Sequence, residues 1–329
     1  MISDSEILVK VHAAALNPID FKSIDLLASR ESIIGCDYAG EVAEVGKNAL
    51  DDWKVGDRVA GFVHGGQYSD RGSFCKYLKI DGDLVWRVPD ELSDEEASTY
   101  GVPAATAMLA LNIYLGVPWL DAPSAEPKTQ LQTTESRGTI LIYAGSTAVG
   151  PLRYAACKEG WLYCCHDRIA TFLRSREKVW CGLRLRLSIH DRGPRYSQGI
   201  LQYHPSTRLC IRRSLDRVLA RVIKRSGGKI VTLSNQGKSK VQSVQYVFII
   251  VFTAFGQKFA LLPPIGPSFP ASLFDRDALA RFYVNVPQLI NDVKPPPLRV
   301  LGSGFDKMLS GLDELRQGKV SGRKLVVKL

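Results

Sequence analysis

The stretch Thr139-Ile140-Leu141-Ile142-Tyr143-Ala144-Gly145-Ser146-Thr147-Ala148-Val149-Gly150 constrains this chain more than any other. Ile140 to Tyr143 form an apolar run that reads as a buried parallel strand. Gly145 and Gly150 then let the backbone turn sharply and approach a phosphate closely. A helix starting after such a turn offers its unpaired N–H groups and positive dipole end to a dinucleotide pyrophosphate. A glycine turn after a strand is also found where nothing binds, so the flanking sequence decides the reading.

With 329 residues, 45% hydrophobic and 23% charged, the chain is long enough for two globular domains. Met1 to Glu6 lack the basic and apolar regions of a secretory signal. The longest apolar run, Tyr246 to Phe252, falls far short of the roughly 20 residues of a membrane span. The expectation is a cytoplasmic protein with no membrane partner, whose seven cysteines are reduced thiols. The net charge of +10 is local: residues 151–225 carry 14 Arg and 3 Lys against 3 Asp and 2 Glu, and the rest of the chain is slightly acidic. No nucleic-acid fold or aromatic stacking pattern accompanies that charge, which argues against a nucleic-acid partner. Cys164-Cys165-His166 has no second Cys pair to complete a zinc site.

Toward the N-terminus, Glu6 to Leu16 begin with strand-like alternation, and Asn17-Pro18-Ile19-Asp20 closes that run with turn chemistry. Ile33 to Gly46 read as a glycine-punctuated strand pair, and Trp53 to Gly61 as a further turn and strand, together a barrel-like β unit. In this order, Asn17 to Lys22, Gly35 to Gly46, Val55 to Val59 and Gly72 to Tyr77 resemble the medium-chain dehydrogenase/reductases. The resemblance is narrowest to their zinc-free branch of quinone oxidoreductases and trans-acting enoyl reductases of fungal polyketide synthases. Cys36-Asp37-Tyr38-Ala39 stands where the zinc-dependent branch has a Gly-His-Glu motif, and no Cys-rich loop lies between Asp81 and Tyr100, so no metal is expected.

The resemblance covers about 1–150 and 222–329. It implies an α/β protein with a GroES-like catalytic domain (1–112), a Rossmann nucleotide-binding domain (113–265) and a return to the catalytic domain (266–329). Between them, 151–221 does not match the family: the helix expected after Gly150 is cut short at Gly160, and neither a 3.6- nor a 2-residue period persists. The simplest account of its Arg- and Cys-rich composition is a shifted frame or an unspliced stretch.

The family resemblance implies NADPH-dependent reduction of an activated double bond, most plausibly on an enoyl thioester carried by a polyketide synthase or its carrier protein, by a monomer or homodimer. Alternatives are a quinone or small-enone reductase, or an inactive remnant with a damaged cofactor domain. By resemblance, Cys36, Asp37, Tyr38 and Ala39 line the nicotinamide side. Gly145, Ser146, Thr147, Ala148 and Val149 form the pyrophosphate turn, and Val320 and Ser321 close over the cofactor. Thr106, Ala107, Met108, Leu109 and Ala110, with Val251, Phe252, Thr253, Ala254 and Phe255 opposite, form the acyl channel. Lys22 and Asn17 are candidates to hydrogen-bond a substrate carbonyl.

Overall fold

Strand β1 (Glu6–Ala15) is the axis of the first of two units, which comprises Met1–Leu109 and Val251–Leu329. Ile7, Val9 and Val11 alternate with Leu8 and Lys10, so one face of the strand turns inward; from Ala13 on, every residue is buried. The reason is that both faces are covered there. Ala14 joins Leu16, Met308, Leu312, Leu325 and Val327 in one cluster, while Ala13 and Ala15 join Val326 in another. Alanine is what fits between two packed layers.

The computed structural model describes residues 2–27, 31–117, 119, 139–142, 163–166, 208–211, 228–233, 235, 237–239, 242–290 and 294–329. In the first unit, β2 (Asp37–Val45) runs antiparallel along one edge of β1. The other edge is shared: β4 (Tyr77–Asp81) pairs with Glu6 to Lys10, and β14 (Lys324–Lys328) with Ala13 to Ala15. β3 (Arg58–Phe62) and β5 (Trp86–Arg87) extend the sheet beyond β2, and β13 (Leu298–Ser303) extends it beyond β14. Gly40 of β2 faces Val11, and a Cβ built there would sit 2.0 Å from the Lys10 carbonyl oxygen, so only glycine allows this pairing.

Short helices close the ends of the sheet. α1 (Pro18–Lys22) starts at Asn17 with Pro in its first turn, α2 (Asp94–Ala97) starts from a Ser93–Glu96 capping box, and α3 (Val102–Met108) continues as a π-helical turn, Leu109–Tyr114. Two longer helices follow in the returning segment. α4 (Leu273–Leu289) buries Ala278, Leu279, Tyr283 and Val286, and α5 (Phe305–Arg316) buries Met308, Gly311 and Leu312. The return begins at Val251. Residues 251–265, which the sequence reading assigned to the nucleotide-binding domain, group with the first unit, because Phe252, Phe255 and Phe259 pack there on Phe62 and His64. A small antiparallel pair, β11 (Phe259–Ala260) with β12 (Ser268–Phe269), stacks the Phe259 and Phe269 rings and leads into α4.

The second unit, Ala110–Ile250, holds a five-stranded parallel sheet in the order β10 (Val244–Phe248), β9 (Gly228–Thr232), β8 (Arg208–Ile211), β6 (Thr139–Ile142), β7 (Tyr163–His166). Its ladder is regular: Ile140 pairs with Cys164 on one side and Arg208 on the other, and Leu209 pairs onward with Ile230. β7 and β8 fall inside 151–221, where the sequence shows no period. Four residues of each suffice for a parallel ladder, and neither Tyr-Cys-Cys-His nor Arg-Leu-Cys-Ile has the apolar run that marks β6.

Candidate active site

In the parallel sheet the chain leaves β6 for β7 on one side and then crosses to β8 on the other, so the strand order reverses at β6. Such a switch point opens a crevice at the carboxyl ends of the strands, and that is where open α/β sheets bind nucleotides. The residues that leave the carboxyl end of β6 are the glycine turn of the sequence analysis. Gly145, Ser146, Thr147, Ala148 and Val149 themselves lie outside the described residues. The strand topology fits a dinucleotide at the carboxyl end of β6.

In the first unit, the candidate residues Asn17 and Asp37 meet in a buried polar network. Asp37, fully buried at the start of β2, accepts through Oδ2 from Asn17 Nδ2 at 2.8 Å and from Lys324 Nζ at 3.0 Å. Its Oδ1 accepts the backbone N–H of Val102 at 2.6 Å, which satisfies one of the open amides at the start of α3. Lys324, at the start of β14 and 4% exposed, also donates to Asn17 Oδ1. Asn17 Nδ2 reaches the Ala15 carbonyl oxygen as well, and its backbone N–H donates to Asp20 Oδ2 at 2.7 Å. Gly101 keeps this space open: a Cβ there would stand 2.4 Å from Asp37 Oδ1.

Burial, with the Asp37 carboxylate adding to it, pushes the Asp20 carboxyl up to about 7, against the backbone hydrogen bond from Asn17. Its Oδ1 has no partner. Burial likewise raises the Cys36 thiol, beside Asp20 and Asp37, well above its usual range. The Tyr38 hydroxyl is buried, unpartnered and raised by the same cause.

These facts correct part of the site expected from the sequence. Asn17 is engaged through both atoms of its amide and cannot also hold a substrate carbonyl. The side chains of Cys36, Asp37, Tyr38 and Ala39 are buried in the first unit's interior. Lys22 is exposed at the end of α1. Val320 packs against the Leu16–Met308 cluster and Ser321 is exposed. Thr106, Ala107, Met108, Leu109 and Ala110 are all buried along α3 and into the π-helical turn, a local geometry often found at functional sites.

The segment Val251 to Phe255 forms a short 3₁₀ turn whose rings face inward. Phe252 stacks on His64, centroids 3.7 Å apart and planes 15° from parallel, and Phe255 meets Phe62 at 4.8 Å. Val251 and Ala254 are buried and Thr253 is partly exposed. His64 was not singled out from the sequence, because a lone histidine after a strand carries no pattern. Burial pushes its imidazole down to about 3, so it is neutral at physiological pH. Among the described residues, no group of three His, Cys, Asp or Glu could hold a metal ion, and no helix is long and apolar enough to cross a membrane.

Residues 3–90 match the family described as alcohol dehydrogenase GroES-like domain. The chain is similar to the trans-enoyl reductase caaB of Aspergillus niger, at 30% identity over 97% of this chain and 88% of that protein. It is also similar to the trans-enoyl reductase ACTTS2 of Alternaria alternata, at 31% identity over 100% and 93%. Among solved structures, the CurK enoyl reductase superposes with a TM-score of 0.60 at 17% identity, covering 98% of this chain and 91% of that one. The quinone oxidoreductase of Coxiella burnetii gives 0.59 at 17% identity, over 99% and 91%. These structural likenesses are likenesses of fold.

Proposed function

Because the chain belongs to the trans-enoyl reductases, within the medium-chain dehydrogenase/reductases, we propose that it reduces the activated double bond of an enoyl thioester presented by a polyketide synthase, with NADPH and without zinc. Membership makes it an oxidoreductase; the cofactor, the metal independence and the partner are the proposal. The observation that carries it is the switch point at β6, whose carboxyl end leads into Gly145 to Gly150.

NADPH, when bound, supplies a hydride for the β-carbon, and the α-carbon takes a proton from water. Gly145 and Ser146 to Val149 would hold the pyrophosphate through backbone N–H groups, and Val320 with exposed Ser321 would close over the cofactor. Thr106 to Ala110 would wall the acyl chain from water. Polarising the thioester carbonyl requires a donor where negative charge develops, and Lys22, exposed at the end of α1, is the candidate. Cytoplasmic location and a monomeric or dimeric state complete the proposal.

The test is turnover of a short enoyl-pantetheine thioester by the purified chain, followed by loss of reduced-nicotinamide fluorescence, with NADH and a quinone as separate arms. NADPH-selective turnover that rises when the acyl group is carrier-bound supports the reading. Turnover of the quinone alone transfers the chain to the quinone oxidoreductases. Folded protein that binds no nicotinamide cofactor ends the enzyme reading.

A further inference from the structure

Lys324 is 307 residues from Asn17 and 287 from Asp37 in sequence, yet it touches both in the interior of the first unit. It stands three positions after Ser321, which would close over the cofactor. Asp37, which it holds, in turn holds the Val102 amide, one helical turn before Thr106. One ammonium thus joins the start of β14, the start of β2, the cap of α1 and, through Asp37, the start of α3. The cost of burying it is substantial: ion pairs as buried as this one rarely gain stability over an apolar pair of the same volume. Their attested use is to specify one arrangement over others. Here the arrangement is specific, because the Asp37 carboxylate fits against α3 only where residue 101 has no Cβ.

We propose that Lys324 is a positioning residue: by holding the Asp37 carboxylate on the Val102 amide, it fixes the start of the helix that carries Thr106, and so the wall against which the enoyl chain lies. This rests on the reading of α3 as part of the acyl channel. In this role Lys324 acts through Asp37 and not on the substrate or the cofactor. The alignment is charge-dependent in the native chain, but neutral groups can rebuild it. When Lys324→Met is combined with Asp37→Asn, the new side-chain amide keeps an oxygen that accepts from the Val102 N–H. Its nitrogen takes the place of Oδ2 beside Asn17, and the Asn17 amide turns over to present its oxygen to it, giving up the contact with the Ala15 carbonyl oxygen.

The experiment compares Lys324→Met with that neutral pair. Two readouts are taken: hydrogen–deuterium exchange of peptides covering 98–110, and kcat and KM for an enoyl-pantetheine thioester. Lys324→Met leaves a buried carboxylate without its cation. The expected result is about tenfold faster exchange confined to 98–110 and the strands bearing the network, and a KM raised about tenfold with kcat within about threefold. The neutral pair is expected to return both to within about threefold of wild type. Unchanged exchange at 98–110 in Lys324→Met overturns the proposal, as does a loss spread evenly over the whole first unit that the neutral pair fails to reverse. Where Lys324→Met yields no folded protein, the neutral pair is compared directly with wild type. Wild-type-like exchange and KM then support the proposal, and an unfolded pair overturns it. A wild-type chain that reduces no thioester removes the channel reading instead, and with it the KM half; exchange at 98–110 still decides the positional half.

Discussion

The two units are specified by different means. The first is written in side chains: β1 alternates, its neighbours are punctuated by glycines that only close backbone approach explains, and its interior carries a charged network. The second is written in backbone: five parallel strands of four or five residues, held by regular ladders, with sequences as unlike strand consensus as Tyr-Cys-Cys-His and Arg-Leu-Cys-Ile. A unit of the first kind is vulnerable to the wrong atom at one place. A unit of the second kind tolerates a change of side chain and fails when a ladder bond is removed.

The largest expected effect comes from Gly40→Ala. Its methyl group collides with the Lys10 carbonyl oxygen in the central strand pair, and neither backbone can yield without breaking the register of β1 and β2. The expected loss is about 3 kcal/mol or more by urea denaturation. A midpoint unchanged from wild type refutes the claim that this pairing depends on glycine.

Leu209→Pro probes the other mode. Leu209 is in β8, a central strand paired on both sides, where proline removes a ladder donor and adds a clash. NADPH affinity is expected to fall more than tenfold in a fluorescence titration, while the near-ultraviolet signal of the buried Trp86 and Tyr38 of the first unit persists. Simultaneous loss of both shows that the units do not differ as argued.

Phe252→Ala removes a 3% exposed ring from its stack on His64, at an expected cost of about 3 kcal/mol by the same denaturation. A cost below about 1 kcal/mol means that the turn at Val251 to Phe255 is not held by its rings.

The smallest effects are titrations, and they run in opposite directions. His64 has its pKa lowered to about 3, so the folded chain binds fewer protons there than the unfolded chain; stability falls as pH drops from about 6.5 toward 3. Asp20 has its pKa raised to about 7, so the folded chain binds more protons there; stability falls as pH rises from about 4 through 7. The groups facing Asp20 are Asn17, Cys36, Asp37 and Lys324. His64→Phe is expected to gain melting temperature relative to wild type chiefly below pH 6, and Asp20→Asn chiefly above pH 7, by a few degrees each. Parallel pH profiles for wild type and either variant remove that group from the account.

What was legible in the sequence follows the same division. The barrel-like unit could be read from the alternation of Ile7, Val9 and Val11, because that signal is local, but Ile33 to Gly46, read as a strand pair, holds the single strand β2 with Gly40 inside its ladder rather than at a turn. The strand at 139–142 was legible because its signal is also local, and the turn read after it lies outside the described residues. β7 and β8 were not, since Tyr-Cys-Cys-His and Arg-Leu-Cys-Ile lack the apolar run that marks β6. The site was legible by region and less so by role. Asn17 and Asp37 were picked out as candidates to touch ligands, whereas their side chains serve each other and Lys324. No window of sequence reports a bond across 287 residues.

The shared edge of β1 has a consequence for how the chain is made. Half of that edge belongs to β4 and is available early; the other half waits for β14, and the cluster around Leu16 waits for Met308, Leu312, Leu325 and Val327. Between them, Ala110–Ile250 must be synthesised, which takes on the order of ten seconds at ribosomal rates. During that interval the first half of the barrel emerges with Ala13 to Leu16 uncovered, a nascent surface suited to a chaperone. Ribosome-bound chains arrested after residue 250 should therefore be cut by protease within 1–109, and released full-length chains should not.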